Sequence, residues 1–165
     1  MRRAVRVGAV DAGDGSHVAA EARVREQRVS LQQLQAQGRA IADWLAPPAL
    51  VTLTGDLGAG KTTLAQAICR GLGVTEPVTS PTFALIQEYA GSAVRVVHCD
   101  LYRLDTLQQI AALGLDELAA EPDVVMLVEW PERAGGLLGA PTVAISLQHV
   151  ADDASVRECT ERWAS

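Results

Sequence analysis

One nine-residue stretch constrains this chain more than any other, because it places three glycines before a lysine and two threonines. It runs from Gly55 to Thr63 as Gly-Asp-Leu-Gly-Ala-Gly-Lys-Thr-Thr and fits the pattern G-x-x-x-x-G-K-[ST]. An apolar, β-branched segment at 50–54 precedes it, and a helical pattern at 64–70 follows it. Glycines let the backbone turn with positive φ, so that successive N–H groups converge on a phosphate at the positive end of a helix. The stretch therefore predicts a phosphate-binding loop between a strand and a helix.

Two side chains of this stretch have predicted roles in binding a nucleoside triphosphate. Lys61 is expected to reach the β- and γ-phosphates, and the Thr62 hydroxyl is expected to ligate magnesium. The chain has 13 arginines and a single lysine, Lys61, and a compact ammonium on a flexible stem suits phosphate. The predicted nucleotide contacts are Gly55, Asp56, Leu57, Gly58, Ala59, Gly60, Lys61, Thr62 and Thr63.

Two strand patterns end in carboxylates. The five-residue apolar run Val124–Val128 is typical of a buried central strand, and Glu129 follows it. Asp100 follows the strand pattern Val94–Cys99 in the same way. Either carboxylate could hold magnesium, directly or through water, while the other orients an attacking water. His98, two residues before Asp100, is interpreted as a packed core histidine.

A hydroxyl-rich segment, Thr79-Ser80-Pro81-Thr82-Phe83, lies between the loop helix and the next strand pattern. In nucleotide switches, a hydroxyl in this region binds the magnesium at the γ-phosphate and orders the loop. Thr82 is the predicted residue in preference to Ser80. A proline-stiffened turn without such a role is the alternative interpretation.

Composition limits the classes of partner and the number of domains. The net charge of −6 argues against a broad electrostatic grip on nucleic acid, so no direct DNA binding is expected and any RNA connection would run through a partner. No apolar run reaches 18 residues, so no membrane-spanning helix is expected. Residues 1–21 are interpreted as a loose N-terminal extension, with a strand at Val5–Val10 as the alternative, and residues 22–165 as a single domain.

Strand and helix patterns alternate along the domain. They predict an α/β fold, a three-layer sandwich resembling the P-loop NTPases, with a mostly parallel central sheet and helices on both faces. Ser30 with Gln33 predicts a capping box at the start of a helix that Pro47-Pro48 ends. Other predicted segments are an edge strand at 22–29, a strand at 49–54, a helix at 61–72, a hairpin of 83–89 with 94–99, helical residues 107–120 interrupted at Gly114, strands at 124–128 and 142–147, and a last edge strand or helix at 155–163.

Four motifs together resemble one family. They are the loop at 55–63, Ser80-Pro81-Thr82-Phe83, His98-x-Asp100-Leu101-Tyr102-Arg103, and Leu127-Val128-Glu129-Trp130-Pro131-Glu132. In combination they resemble the bacterial TsaE (YjeE-type) ATPases, from about residue 30 to residue 147.

The resemblance implies a function. Members of this family are small cytoplasmic, magnesium-dependent ATPases that bind ATP and ADP. They are needed to form threonylcarbamoyladenosine (t6A) at position 37 of tRNAs reading codons that begin with A. They act with the TsaD and TsaB proteins, so that contact with tRNA is indirect.

The resemblance also assigns roles or positions to six residues of this chain. Lys61 would bind phosphate, and Thr62 and Glu129 would bind magnesium. Asp100 would be needed for turnover or for the function of the complex, and Thr82 would belong to a switch-like loop. Trp130 would lie beside the site.

Other nucleotide-binding classes remain as alternatives. A small P-loop kinase would need an acceptor pocket and usually an arginine-rich lid, and residues 104–123 contain no arginine-rich insert. A GTPase would need a second lysine for the N-K-x-D motif that selects guanine, and the chain has none. A nucleotide-sensing binding module that barely hydrolyses is the third alternative.

Overall fold

A computed structural model of the chain describes residues 23–81 and 83–165. The predicted extension at 1–21, its alternative strand at Val5–Val10 and the Thr82 hydroxyl lie outside the described residues. The domain boundary after residue 21 therefore stays a prediction.

The described residues form one seven-stranded sheet in the order β1-β7-β6-β2-β5-β4-β3. Strands β6, β2, β5 and β4 are neighbours that pair in parallel, whereas the edge pairs β1–β7, β7–β6 and β4–β3 are antiparallel. Because β1 and β6 both run opposite to β7, only β3 and β7 oppose the common direction, and the sheet is mostly parallel as predicted. The strands are β1 (Val24–Ser30), β2 (Ala49–Thr54), β3 (Ile86–Ala90), β4 (Arg95–Asp100), β5 (Val124–Glu129), β6 (Val143–Val150) and β7 (Asp153–Trp163).

Helices cover both faces of the sheet. Alternate residues of β5 enter different cores, since Val125 and Leu127 belong to one cluster and Val124, Met126 and Val128 to the other. The first cluster packs under α1 (Leu31–Ala42) and α2 (Lys61–Gly71). The second packs under α3 (Leu107–Ala111), α4 (Leu115–Ala119) and the 3₁₀ turn Pro131–Ala134. This is the predicted three-layer α/β arrangement.

The two central strands read as continuous apolar runs because both of their faces are covered. All residues of β5 are buried, and so are the first five of β2. Leu53 of β2 and Asp100 of β4 flank Glu129 in register. The carboxyl ends of three neighbouring strands therefore meet beside the glycine-rich loop, where ligands bind in open α/β sheets.

Several helices and strands begin or end at residues other than those predicted, and the predicted edge position of the last strand is wrong. The capping box of Ser30 and Gln33 is present, but α1 ends at Ala42, well before Pro47-Pro48. The predicted strand 83–89 begins only at Ile86, because residues 83–85 form a turn with Leu85 at φ 65°. Residues 155–163 are a strand, but β7 lies between β1 and β6 and is not an edge strand.

The three cysteines, Cys69, Cys99 and Cys159, are buried free thiols. Burial raises the pKa of Cys69 and of Cys99 to about 12, and that of Cys159 to about 11. These groups are therefore neutral packing residues at physiological pH. Among the described residues, no helix is both long and apolar enough to span a bilayer.

Candidate functional site

The glycine-rich loop joins the carboxyl end of β2 to the start of α2 and depends on three glycines with positive φ. Gly55 has φ 141°, Gly58 has φ 75°, and Gly60, the residue that precedes α2, has φ 108°. A Cβ atom at Gly55 would lie 2.2 Å from the backbone oxygen of Leu147 in β6. Since a backbone atom inside the sheet cannot move aside, only glycine fits at position 55.

The N-terminus of α2 lacks a side-chain cap among the described residues. The residue before the helix, Gly60, offers no side chain to cap it, and the first turn has no acidic residue. The first N–H groups of a helix have no partner within the helix and carry the positive end of its dipole. The start of α2, in an 11-residue helix, is therefore a position where an anion would be stabilised.

Lys61 is buried at the mouth of this loop, with 5% of its surface exposed. Its Nζ donates hydrogen bonds to the backbone oxygens of Gly55 and Asp56, and lies 4.1 Å from the centre of the Trp130 ring. Burial lowers the pKa of Lys61, an effect that nearby carboxylates, above all Glu129, partly oppose. The loop therefore holds the partly desolvated ammonium group of Lys61 against two of the loop's backbone carbonyl oxygens.

A chain of three side chains leads from the loop helix into the sheet. The Thr62 hydroxyl lies 3.1 and 3.2 Å from the two carboxylate oxygens of Glu129. The Oε1 atom of Glu129 is also 2.9 Å from Nε2 of His98, which is fully buried. Glu129 itself is only 2% exposed, so both contacts lie in an environment where they are strong.

Asp100 lies at the same edge of the sheet. It is directly opposite Glu129 in the β4–β5 register, is 6% exposed, and accepts a hydrogen bond from the backbone N–H of Tyr102 at 2.9 Å. The structure thus brings together Lys61, Thr62, Asp100 and Glu129, four residues that the sequence analysis assigned to one site. Thr82 lies outside the described residues, so its place in the site stays a prediction.

Two aromatic side chains, Trp130 and Tyr102, lie on the Lys61 side of the site. Trp130 has φ 58°, an unusual conformation for a residue with a bulky side chain, and its ring centre lies 4.9 Å from that of Tyr102. This backbone turn directs the chain from β5 into the 3₁₀ turn Pro131–Ala134. Strained backbone at such a position is commonly retained for function, and here it places the ring over Lys61.

Sequence reasoning missed two parts of this arrangement. His98 is a core histidine, as interpreted from the sequence, but it is also the hydrogen-bond partner of Glu129. The signal available was spacing: His98 and Asp100 are two residues apart on one strand and therefore share a face. Tyr102 was quoted within a motif but was given no role, although it lies only two residues after Asp100, the last residue of β4.

The oxygen atoms of Thr62 and Glu129 fit a divalent cation that is held together with phosphate. Magnesium usually takes one or two protein oxygens and completes its octahedron with water and substrate phosphates. The described residues contain no group of three or more His, Cys, Asp or Glu side chains that could hold a metal ion. The hydroxyl that now contacts Glu129 would turn one lone pair to such an ion.

Comparisons with known proteins agree with the sequence motifs. The model of the family described as "Threonylcarbamoyl adenosine biosynthesis protein TsaE" matches residues 29–159. A protein of Streptomyces coelicolor named tRNA threonylcarbamoyladenosine biosynthesis protein TsaE is 38% identical over 138 residues, which cover 78% of this chain and 92% of that protein.

Two further comparisons differ in coverage. A protein of the same name from Nostoc sp. is 40% identical over 99 residues, and the aligned part spans 58% of this chain and only 60% of that protein's length. The crystal structure of YdiB from Bacillus subtilis superposes with a TM-score of 0.73 at 31% identity, covering 91% of this chain and 90% of that one.

Proposed function

The chain belongs to the TsaE family, and we propose that it is a magnesium-dependent ATPase required to form threonylcarbamoyladenosine at position 37 of tRNAs that read codons beginning with A. In this proposal the protein is cytoplasmic and acts with the TsaD and TsaB proteins in the transfer step, so that its contact with tRNA is indirect. The names of its relatives support the pathway, and the net charge of −6 supports an indirect contact with tRNA.

A single observation carries the ATPase proposal. The uncapped start of α2, the buried ammonium of Lys61 and the pair Thr62–Glu129 surround the same loop. Backbone N–H groups and one ammonium suit the phosphates of a nucleotide, and a hydroxyl beside a carboxylate suits its magnesium ion. The proposed ligands are therefore ATP or ADP with Mg²⁺.

Each side chain has a definable task in hydrolysis. Lys61 would exchange its contacts with the Gly55 and Asp56 carbonyls for phosphate oxygens, and so neutralise charge that develops as the terminal phosphate leaves. Thr62 and Glu129 would hold magnesium, which when bound withdraws charge from the bridging and terminal phosphates. Asp100, at the neighbouring strand end, would orient the attacking water or accept its proton.

The first experiment measures ATP hydrolysis by the purified protein, alone and with its cognate TsaD–TsaB pair, at matched magnesium concentration. We expect the pair to stimulate hydrolysis and Lys61→Ala to abolish it. Arg70→Ala is the matched control, because Arg70 is an exposed cation on the same helix and its loss should leave the rate unchanged. Hydrolysis that is indifferent to the pair, or phosphate transferred to an added small molecule, would contradict the proposal and favour a small P-loop kinase.

His98 should act as a positioning residue for Glu129. Its Nε2 atom fixes one carboxylate oxygen, so His98→Leu should raise the magnesium concentration for half-maximal hydrolysis by about tenfold, a typical effect of a partner to a metal ligand. His98→Gln, whose amide N–H can replace the donor at Nε2, should recover most of the affinity. Thermal unfolding of both variants separates this effect from lost stability. Equal magnesium requirements in the Leu variant, the Gln variant and the parent would refute the positioning role.

A further inference from the structure

A cavity that the proposed function does not use lies between α1, β1 and β7. Its volume is about 240 Å³, just below the roughly 300–1,000 Å³ of sites for drug-sized ligands, so it suits a smaller molecule. It borders the last turn of α1, whereas Leu31, the first residue of that helix, lies beside the glycine-rich loop. Since α1 has 12 residues and is therefore about 18 Å long, the cavity is separate from the loop.

Two periodicities of the sequence bring the lining side chains together. Gln37, Ile41 and Trp44 are spaced by four and three residues, so they share one face of α1 and of the turn that follows it. Glu161 and Trp163 are two residues apart on β7 and therefore lie on the same side of the sheet. The helix face thus covers the side of the sheet that carries Glu161.

The floor of the cavity is a carboxylate without a paired cation. Glu161 is only 3% exposed, and its oxygens accept hydrogen bonds from Nε2 of Gln37 and, at 3.2 Å, from Nε1 of Trp163. Arg25 is opposite Glu161 in the β1–β7 register, but among the described residues no ion pair joins Glu161 to a basic side chain. A buried carboxylate is costly unless a cation pairs with it.

The same floor has more hydrogen-bond acceptors than donors. Oε1 of Gln37, a residue only 7% exposed, is buried and has no hydrogen-bond partner within the part of the chain that the structure describes. A carboxylate can accept about four hydrogen bonds, so Glu161 has capacity beyond the contacts from Gln37 and Trp163. An ammonium group would supply both the missing charge and the missing donors.

The exposed side chains of the cavity have the opposite charge. Arg23 and Arg25 are exposed residues of its lining. The Arg23 guanidinium lies 5.8 Å from the centre of the Trp44 ring, and Trp44 is 70% exposed. Guanidinium groups pair well with carboxylates, and an indole offers a large apolar surface. A simple cation would leave the two arginines unmatched, and a simple anion would leave Glu161 unmatched.

We propose that this cavity binds a free α-amino acid with an apolar side chain. The ammonium group of the amino acid pairs with Glu161, and its carboxylate pairs with Arg23 and Arg25. Its side chain packs on Ile41 and Trp44. The site does not depend on the glycine-rich loop, so this inference and the proposed function stand or fall separately.

The first experiment measures the melting temperature of the full chain with L-valine, L-leucine, L-isoleucine, L-methionine or L-phenylalanine. A ligand that binds only the native state raises this temperature. Calorimetry then compares the most effective amino acid with two relatives, which for L-leucine are 3-methylbutylamine, lacking the carboxylate, and 4-methylpentanoate, lacking the ammonium group. We expect each relative to bind at least about tenfold more weakly, since each leaves one charge of the cavity unmatched.

Two variants locate the binding. Glu161→Gln should weaken the amino acid at least about tenfold, because a neutral amide cannot pair with its ammonium group. Glu158→Gln is the matched control, since Glu158 is an exposed carboxylate of the same strand that pairs with Arg28. Ala40→Phe should also abolish binding, because this exposed position of α1 borders the cavity and a phenyl ring would fill it. It leaves the buried polar contacts intact, so the test survives if Glu161→Gln does not fold.

Three outcomes would overturn the proposal. If none of the five amino acids raises the melting temperature, the cavity is not an amino-acid site. Equal affinity for the amino acid and for the amine would show that the two arginines take no part. Binding that persists in Ala40→Phe would place the amino acid elsewhere on the protein.

Discussion

Replacing Glu129 with glutamine should leave ATP bound and reduce its hydrolysis by about 100-fold or more, because even an outer partner of a metal ligand is worth 10–100-fold. Glutamine has the same shape and can still contact Thr62 and His98, so the buried position should remain filled and the fold intact. It lacks the negative charge that would hold magnesium at the terminal phosphate. Phosphate release gives the rate, and calorimetry gives the ATP affinity.

Glu132→Gln is the matched control for this result. Glu132 is exposed, and its negative charge, like that of Glu129, raises the pKa of Lys61. Among the described residues, however, no hydrogen bond joins Glu132 to Thr62 or His98. The Glu132→Gln variant should therefore hydrolyse ATP at the rate of the parent protein. An equal loss in both variants would mean that net charge near Lys61 matters, and would contradict a specific role for Glu129.

Asp100→Asn separates the two carboxylates that the sequence left as rivals. If Glu129 holds the metal and Asp100 orients water, the asparagine variant should lose turnover while keeping the magnesium requirement of the parent. The register places both residues at the same edge, so position alone does not distinguish them. A larger loss of magnesium affinity in Asp100→Asn than in Glu129→Gln would reverse the assignment.

The loop and its two neighbouring strands could be predicted because their signals are local. Glycines with positive φ, a lysine after them and fully buried strands of β-branched residues each leave a mark within a few positions. The strand ends at Asp100 and Glu129 follow from the same reasoning, since parallel strands bring their carboxyl ends to one edge.

The parts that could not be predicted depend on contacts between distant segments. The bond between His98 and Glu129 needs the β4–β5 register, which no local pattern gives. The interior position of β7 depends on β1 pairing with it from 130 positions away, as in the Arg28–Glu158 ion pair. The pattern at 155–163 does not separate a strand from a helix, because β7 buries the polar side chains of Arg157 and Glu161. A hydrophobicity pattern cannot show that a buried position is filled by a hydrogen-bonded polar group.

Alanine at position 55 should destroy the loop, whereas alanine at position 58 should be tolerated. At Gly55 the new Cβ would lie 2.2 Å from the backbone oxygen of Leu147, and φ is 141°. At Gly58, φ is 75° but no atom lies within 4 Å of the new Cβ. We expect Gly55→Ala to lower the free energy of unfolding by about 2–4 kcal/mol, as overpacking adds to backbone strain, and Gly58→Ala by about 1 kcal/mol from strain alone.

Urea denaturation and ATP calorimetry on the two variants test whether the space around each glycine, rather than φ alone, determines its necessity. Gly60 lies between the two extremes, because its Cβ would meet Leu34 Cδ2 at 2.9 Å, the end of a side chain that can shift. The expected order of destabilisation is therefore Gly55→Ala, Gly60→Ala, Gly58→Ala, with ATP binding lost in the first. Equal destabilisation at positions 55 and 58 would show that φ alone governs the loop. The contact between the loop and the β6 backbone would then have no role in holding the phosphate-binding conformation.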